Sequence, residues 1–127
     1  MNNSKDCGCA CTSAPKLIFA CSGASDTGEL TDRAARKLSQ DGAGKMFCLA
    51  GIGGRVSGIV ASTQAAPKLL AIDGCPLLCA KKTLKEAGFT EFEHLCLTDL
   101  GLLKGNSPVS DELIAKVAEK GKTLLAG

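Results

Sequence analysis

The sequence has very few aromatic residues, with four Phe and neither Trp nor Tyr among 127 residues. Its hydrophobic core must therefore be aliphatic, built from Leu, Ile, Val and Ala. Acidic and basic residues are interspersed, and the net charge is only +2. Nucleic-acid-binding proteins usually present a basic surface with aromatic side chains that stack on bases. The sequence has neither feature, so we expect no nucleic-acid partner.

Long hydrophobic segments are also missing. No apolar run approaches the roughly 18 residues that a membrane-spanning helix needs. The first residues, Met1–Asp6, are polar and lack the hydrophobic stretch of a secretory signal peptide. We therefore expect no membrane association and a cytoplasmic location, where thiols stay reduced. A secreted disulfide framework is the competing interpretation of an even cysteine count, but the chain otherwise has the pattern of an ordinary cored domain.

Histidine is nearly absent, since His94 is the only one. It lies beside Glu93 in a predicted strand, and we expect its side chain to be partly exposed or hydrogen-bonded. The sequence shows no Ser-His-Asp set and no paired carboxylates placed for acid–base catalysis.

Four short apolar runs alternate with four longer helical patterns. The predicted strands are Lys16–Ala20, Met46–Ala50, Leu69–Ile72 and Glu91–Leu97. This order predicts one α/β domain over residues 16–127, a three-layer sandwich with a parallel four-stranded sheet and helices on both faces. The first and third runs are wholly apolar, as in strands buried on both faces, whereas the fourth has polar residues, as in an edge strand. The predicted strand order is 2-1-3-4.

The helix boundaries follow from capping residues and glycines. Asp26 or Thr27 is the predicted cap of a first helix that ends at Gln40, and Pro76 the predicted first residue of a third helix that ends near Ala87, before Gly88. A second helix follows Gly51–Gly54, and a last helix starts at Ser110-Asp111. The predicted inward residues are Leu30, Ala34, Ala35, Leu38, Val56, Ile59, Val60, Leu113, Ile114, Val117, Ala118 and Leu124.

Cysteine is what the chain has in abundance, with eight residues. Four of them, Cys21, Cys48, Cys75 and Cys79, lie at or near points where a predicted strand gives way to a turn. Strands one and three are neighbours at the point where the chain reverses its winding, and such sheets bind ligands there. Converging thiols in a reducing compartment indicate a soft metal ion or redox chemistry.

The individual cysteines differ in what their settings predict. Cys75 and Cys79 are four residues apart at the start of a predicted helix, so their side chains would share one face. The amino terminus of a helix also favours a thiolate, the form that binds metals. From spacing alone Cys48 is equally a core residue or a ligand, and the apolar surroundings of Cys96 predict a core residue.

Residues Met1–Pro15 form a polar, cysteine-rich leader that we expect to be flexible. Cys7, Cys9 and Cys11 alternate with small residues in it. They could add a ligand to the main cluster, form a second site, or remain exposed thiols, and the sequence favours none of the three.

The segment Cys21–Gly28 also invites comparison with the anion-binding loop of thiol phosphatases and arsenate reductases. Such loops end with an Arg that clamps the oxyanion. Here Asp26 or Thr27 occupies that place, and the first Arg, Arg33, lies well into the helix. This difference argues against oxyanion chemistry.

Four segments in the same order are similar to one known family. CSGASDTGEL, CLAGIGG, AIDGCPLLCAKKTL and LTDLGLLKG, from about Leu17 to Lys104, resemble the bacterial and archaeal DGC-domain family of small proteins described as zinc-binding. The resemblance implies four zinc ligands, which map onto Cys21, Cys48, Cys75 and Cys79, and it makes Cys48 a predicted ligand. It implies no particular reaction or substrate.

Our leading hypothesis is a metal-binding protein that holds zinc with these four cysteines at the carboxyl edge of the sheet. The alternatives are a cytoplasmic thiol oxidoreductase that uses Cys75 and Cys79 with Cys21, and an iron–sulfur cluster carrier. The sequence identifies no biological role and no protein partner, and it leaves open whether the chain is an enzyme.

Overall fold

The computed structural model describes residues 14–127. Cys7, Cys9 and Cys11, and with them nearly all of the predicted leader, lie outside the described residues. The elements follow the order β1 (Leu17–Ala20), α1 (Asp26–Gln40), β2 (Lys45–Met46), α2 (Leu49–Gly53), α3 (Ser57–Ala65), β3 (Leu69–Asp73), α4 (Cys79–Glu86), β4 (Glu93–Cys96), a 3-10 turn (Leu97–Leu100) and α5 (Asp111–Leu125).

The four strands form one parallel sheet in the order β2-β1-β3-β4, which confirms the predicted fold class and strand order. In its register Ile18 lies beside Met46, and Ala20 lies beside Ile72. All residues of β1 and β3 are buried, whereas β4 is only half buried, as its polar residues predicted.

Two hydrophobic clusters cover the two faces of the sheet and make the three layers. Helices α1 and α5 pack on one face, against Ile18, Leu70 and Ile72. Helices α2 and α4 cover the other face together with a side chain of α3, against Leu17, Phe19 and Ala71. Because α1, α2 and α4 all start after a strand, their amino ends lie at the carboxyl edge of the sheet.

Helix α1 confirms the predicted buried stripe and corrects its predicted cap. Its four predicted inward residues are all fully buried, and the helix ends at Gln40 as expected. The cap is Ser25, whose side chain accepts a hydrogen bond from the Gly28 amide at 3.1 Å. Asp26 is the first helical residue, and its carboxylate instead accepts hydrogen bonds from the loop before α5.

The second predicted strand, Met46–Ala50, is wrong at its carboxyl end. The Phe47 amide makes the last hydrogen bond to β1, at 2.8 Å to the Ile18 carbonyl. The Cys48 carbonyl then accepts from the Gly51 and Ile52 amides, so the chain turns into helix α2. Cys48 therefore lies just before α2 and not within a strand. A further correction concerns Val56, predicted to face inward, which is 51% exposed.

The remaining boundaries differ less from those predicted. Strand β4 covers Glu93–Cys96 within the predicted Glu91–Leu97. Helix α5 begins after Ser110, which accepts from the Leu113 amide, and its predicted inward residues are buried or partly buried. Within residues 14–127, every helix is too short or too polar to span a lipid bilayer.

Candidate metal centre

The four predicted ligands all lie at the carboxyl edge of the sheet, on turns that follow three adjacent strands. Cys21 follows β1 directly, and its amide donates to the Ile72 carbonyl of β3 at 3.0 Å. Cys48 comes two residues after β2, Cys75 comes two residues after β3, and Cys79 is the first residue of α4. Cys21 and Cys75 are half-buried, and Cys48 and Cys79 are exposed. All four are free thiols.

The segment between Cys75 and Cys79 is a turn, which corrects the predicted helical pair. Helix α4 starts at Cys79 and not at Pro76. The Leu78 amide donates to the Cys75 carbonyl at 3.2 Å, so Pro76 is the second residue of a four-residue turn, a place that proline also favours. The two cysteines therefore do not share a helix face, although the predicted end of the helix, with Gly88 at a φ of 95°, is confirmed.

A buried carboxylate fixes the start of α4. Leu78 precedes the helix in a left-handed conformation, with φ 56° and ψ 44°, and its side chain makes no capping hydrogen bond. Instead the carboxylate of Asp73 accepts from the Ala80 amide at 2.7 Å and from the Lys81 amide at 3.0 Å. His94 Nε2 also contacts this carboxylate, at 2.8 Å, which confirms the expectation of a partly exposed, hydrogen-bonded histidine.

The residue between Asp73 and Cys75 must be glycine for a steric reason. A Cβ atom at Gly74 would lie 2.8 Å from the carbonyl carbon of Thr27 and 3.1 Å from the amide nitrogen of Gly28. The turn after β3 therefore touches the backbone of the first turn of α1. In the Asp-Gly-Cys segment, Asp73 thus caps α4, Gly74 permits the close approach to α1, and Cys75 supplies a thiol in the turn before α4.

Cys21 and Cys48 line one open cavity of about 890 Å³ beside the end of β1. Apolar side chains such as Phe47 and Leu49 form part of its wall. The Cys21 sulfur lies 3.5 Å from the Thr31 hydroxyl of α1. Cys75 and Cys79 do not line this cavity, so of the four cysteines only Cys21 and Cys48 share it.

A charged pair on α1 borders the same cavity. Asp32 accepts hydrogen bonds from the Ser22 hydroxyl, at 2.8 Å, and from the Arg36 guanidinium. Partial burial acts to raise the pKa of Asp32, but the hydrogen bonds from Arg36 and Ser22 outweigh it, and the pKa is lowered. The same contact raises the pKa of Arg36. The carboxylate at this wall is therefore held ionised beside a cation.

The comparison with an oxyanion loop finds no support in the first turn of α1. The Thr27 amide donates to Asp26, the Gly28 amide to the Ser25 hydroxyl, and the Glu29 amide to the Ser25 carbonyl. An anion bound by these three amides would have to displace these bonds.

Asp26 has a structural role that the sequence analysis did not identify. Its carboxylate accepts from the Gly105 and Ser107 amides, each at 2.9 Å, and so ties the loop before α5 to the start of α1. The Gly105 amide has the largest effect on the pKa of Asp26, followed by the Ser107 amide, and the pKa is lowered below 3.8. Only the tertiary fold brings this loop to α1, so no local pattern could have revealed the contact.

The cysteine arrangement is not that of a ready-made metal cluster. Within residues 14–127, no three His, Cys, Asp or Glu side chains form a group that could hold a metal ion. The donor set fits zinc in its chemistry, because four thiolates at turns are common zinc ligands. A four-cysteine site at this edge would require its turns to move closer together.

Cys96, predicted as a core residue, is 6% exposed at the end of β4, beside Asp73 in the sheet register. The core prediction is confirmed. Its burial also makes it a natural reference for experiments on the four cysteines at the edge.

Comparison with known proteins identifies the family of the chain. The family model of the DGC domain matches residues 17–120, so the chain belongs to the DGC-domain family. The chain is also 38% identical, over 88 residues, to the anaerobic and virulence modulator AnvM of Pseudomonas aeruginosa. The match covers 69% of this chain and 67% of AnvM. No solved structure matches the chain significantly.

Proposed function

We propose that this protein binds one zinc ion per chain through Cys21, Cys48, Cys75 and Cys79 at the carboxyl edge of the sheet. The observation that carries the proposal is the position of four free thiols at one edge of the sheet, after three adjacent strands. Four thiolate ligands suit tetrahedral zinc, which then keeps no open position for water. A structural or regulatory role follows more naturally than a hydrolytic one.

The regulatory version of this proposal draws on the relative. AnvM is named as a modulator, and we extend that description to this chain. The proposal also takes the protein to be cytoplasmic, where the cysteines would stay reduced and ready to bind metal. Because the thiols do not form a ready cluster, metal binding would have to be accompanied by a local adjustment of the turns. Such an adjustment would couple metal binding to a change in the shape of this edge.

A second candidate function is thiol redox chemistry, favoured by the cavity that Cys21 and Cys48 share. In this version the two thiols form one S–S bond and transfer two electrons and two protons to a small disulfide, which leaves as two thiols. The sequence predicted a different reactive set, in which Cys75 and Cys79 act together with Cys21. Here Cys21 and Cys48 are chosen because they line the same cavity. An iron–sulfur cluster on the four thiolates is the third candidate, and it would make the protein brown.

One set of variants separates these functions. The full chain is purified under reducing conditions without chelator, and its metal content and free thiols are measured. We expect a colourless protein with one zinc per chain, and Cys→Ser variants at each of the four positions should lose the metal. Cys96→Ser is the matched control, because this thiol is buried beside the site, and it should keep the zinc.

Two results would contradict zinc binding by these cysteines. One is a folded Cys96→Ser protein without metal, which would mean that the ligands were misassigned. The other is a metal-free chain that loses two thiols on mild oxidation, with the loss abolished by Cys21→Ser or Cys48→Ser. That second result would establish the redox function instead.

A further inference from the structure

The carboxylate of Asp73 is the most deeply buried charged group among the described residues, with 1% of the residue exposed. Burial of a carboxylate is costly unless hydrogen bonds replace its water shell. Asp73 has three such partners, the amides of Ala80 and Lys81 and the Nε2 atom of His94. An ionised carboxylate only accepts hydrogen bonds, so the Nε2 atom donates to Asp73 when Asp73 is ionised.

These bonds close the chain segment that carries two of the proposed ligands. Asp73 lies two residues before Cys75, and Ala80 directly follows Cys79. The hydrogen bond between Asp73 and Ala80 therefore joins the two ends of the turn, with both thiols between them. His94 fixes the same carboxylate from the neighbouring strand β4, so the closed turn is also anchored to the sheet.

We propose that Asp73 and His94 are positioning residues for the Cys75–Cys79 turn. The inference rests on the proposed function, in which these two thiols bind zinc. Asp73 keeps the ends of the turn together while the other cysteines approach, and His94 keeps the carboxylate in place. Replacing a group that orients metal ligands without binding the metal itself usually lowers metal affinity about 10- to 100-fold.

A purely structural cap is the competing explanation, and it predicts a different pattern. Loss of a cap would destabilise the domain without acting on Cys75 and Cys79 in particular. Ser110→Ala is the matched control for this possibility. It removes the cap of α5, on the opposite face of the sheet from α4, through the loss of one hydrogen bond to the Leu113 amide.

The test combines two measurements on the full chain. In reduced, metal-free protein, the alkylation rate of each cysteine is followed by mass spectrometry. In a separate titration, zinc affinity is measured by competition with a chelating indicator. The variants are Asp73→Asn, His94→Leu, His94→Gln and the control Ser110→Ala.

We expect Asp73→Asn to weaken zinc binding about 10- to 100-fold and to speed alkylation of the half-buried Cys75. His94→Leu should act in the same direction, whereas His94→Gln should remain near the wild type because its side-chain amide can still donate to Asp73. Ser110→Ala should lower the melting temperature and change neither measurement. The two His94 variants carry the test by themselves if Asp73→Asn does not fold.

Two results would overturn the positioning role. One is wild-type zinc affinity and wild-type Cys75 alkylation in both Asp73→Asn and His94→Leu. The other is an equal change in Ser110→Ala, which would reduce the role to general stability. If the wild type bound no zinc but Cys75 still responded to the variants, the positioning role would stand and the proposed metal function would fail.

Discussion

At the scale of single residues, the carboxyl edge of the sheet shows backbone strain beside two of the four cysteines. Ser22, directly after Cys21, has a φ of 53°, and Leu78, directly before Cys79, has a φ of 56°. A left-handed conformation costs a residue with a side chain about 1–2 kcal/mol. Strain of this kind tends to persist where the surroundings impose it, often at functional sites.

Leu78 allows this strain to be measured. We expect Leu78→Gly to be more stable than Leu78→Ala by about 1 kcal/mol, because both variants lose the side chain but only glycine adopts the left-handed conformation freely. The order should reverse at Lys82, an exposed position inside α4, where glycine should be less stable than alanine by about 1 kcal/mol. Urea denaturation of the four variants checks both differences. If alanine were more stable than glycine at both positions, Leu78 would be unstrained.

Asp26 should make the stability of the fold depend on pH. Hydrogen bonds from Gly105 and Ser107 lower the pKa of Asp26 in the folded protein below 3.8. A carboxylate with a lowered folded pKa stabilises the fold above its unfolded pKa, and this contribution is lost as the pH falls through the folded value. Asp26→Asn should therefore melt at a lower temperature than the wild type at neutral pH, and the difference should shrink below about pH 4. A difference that stays constant down to about pH 2 would contradict the assignment.

At the scale of elements, the periodic signals in the sequence predicted what local patterns determine. The buried stripe of α1, the end of α4 at Gly88 and the inward side of α5 follow from residues close in sequence. The strand order followed from the fully apolar character of β1 and β3. These features need no knowledge of distant contacts.

The elements predicted wrongly are those that distant contacts decide. Strand β2 ends early because, after the Phe47 amide bonds to the Ile18 carbonyl of β1, the chain turns at Cys48 into helix α2. Helix α4 starts three residues later than predicted because Asp73, seven residues before Ala80, caps it. Proline suits both a helix start and a turn, so Pro76 alone could not distinguish them. The cysteines of the candidate site were predicted from the sequence, but the supporting contacts of Asp26 and Asp73 were not.

Gly74 gives the element-scale prediction, since it sets how closely the turn after β3 approaches α1. Gly74→Ala should destabilise the protein by about 1–3 kcal/mol, because a Cβ atom would clash with the rigid backbone at Thr27. Gly58→Ala is the matched control, because Gly58 lies inside α3 with open space around it, and alanine there should be neutral or stabilising. Thermal unfolding of both variants checks this, and equal effects would mean that the close approach is not needed.

At the scale of the whole molecule, the chain combines an ordinary aliphatic core with an unusual concentration of thiols at one edge. The core residues of both clusters account for the fold, and none of the four edge cysteines is fully buried. Their number and position therefore point to chemistry rather than to packing. The Asp-Gly-Cys segment follows β3, one of the two central strands, and the match to the DGC-domain family includes it.

We expect the cysteine-rich leader to be dispensable for zinc binding and for the stability of the domain. Residues Met1–Ser13 contain few apolar side chains, so ordering them would cost backbone entropy with little burial in return. Deletion of Met1–Ser13 should therefore leave both zinc content and melting temperature unchanged. A loss of bound zinc would show that Cys7, Cys9 or Cys11 supplies a ligand, and the set of four would have to be redrawn.

The most direct test of the central claim is X-ray absorption at the zinc edge on the full chain, reconstituted with zinc under reducing conditions. We predict one zinc per chain with four sulfur neighbours at about 2.3 Å, unchanged in Cys96→Ser and lost in Cys75→Ser. A first shell of oxygen or nitrogen atoms, or a reduced chain that takes up no zinc, would contradict a zinc site built from Cys21, Cys48, Cys75 and Cys79.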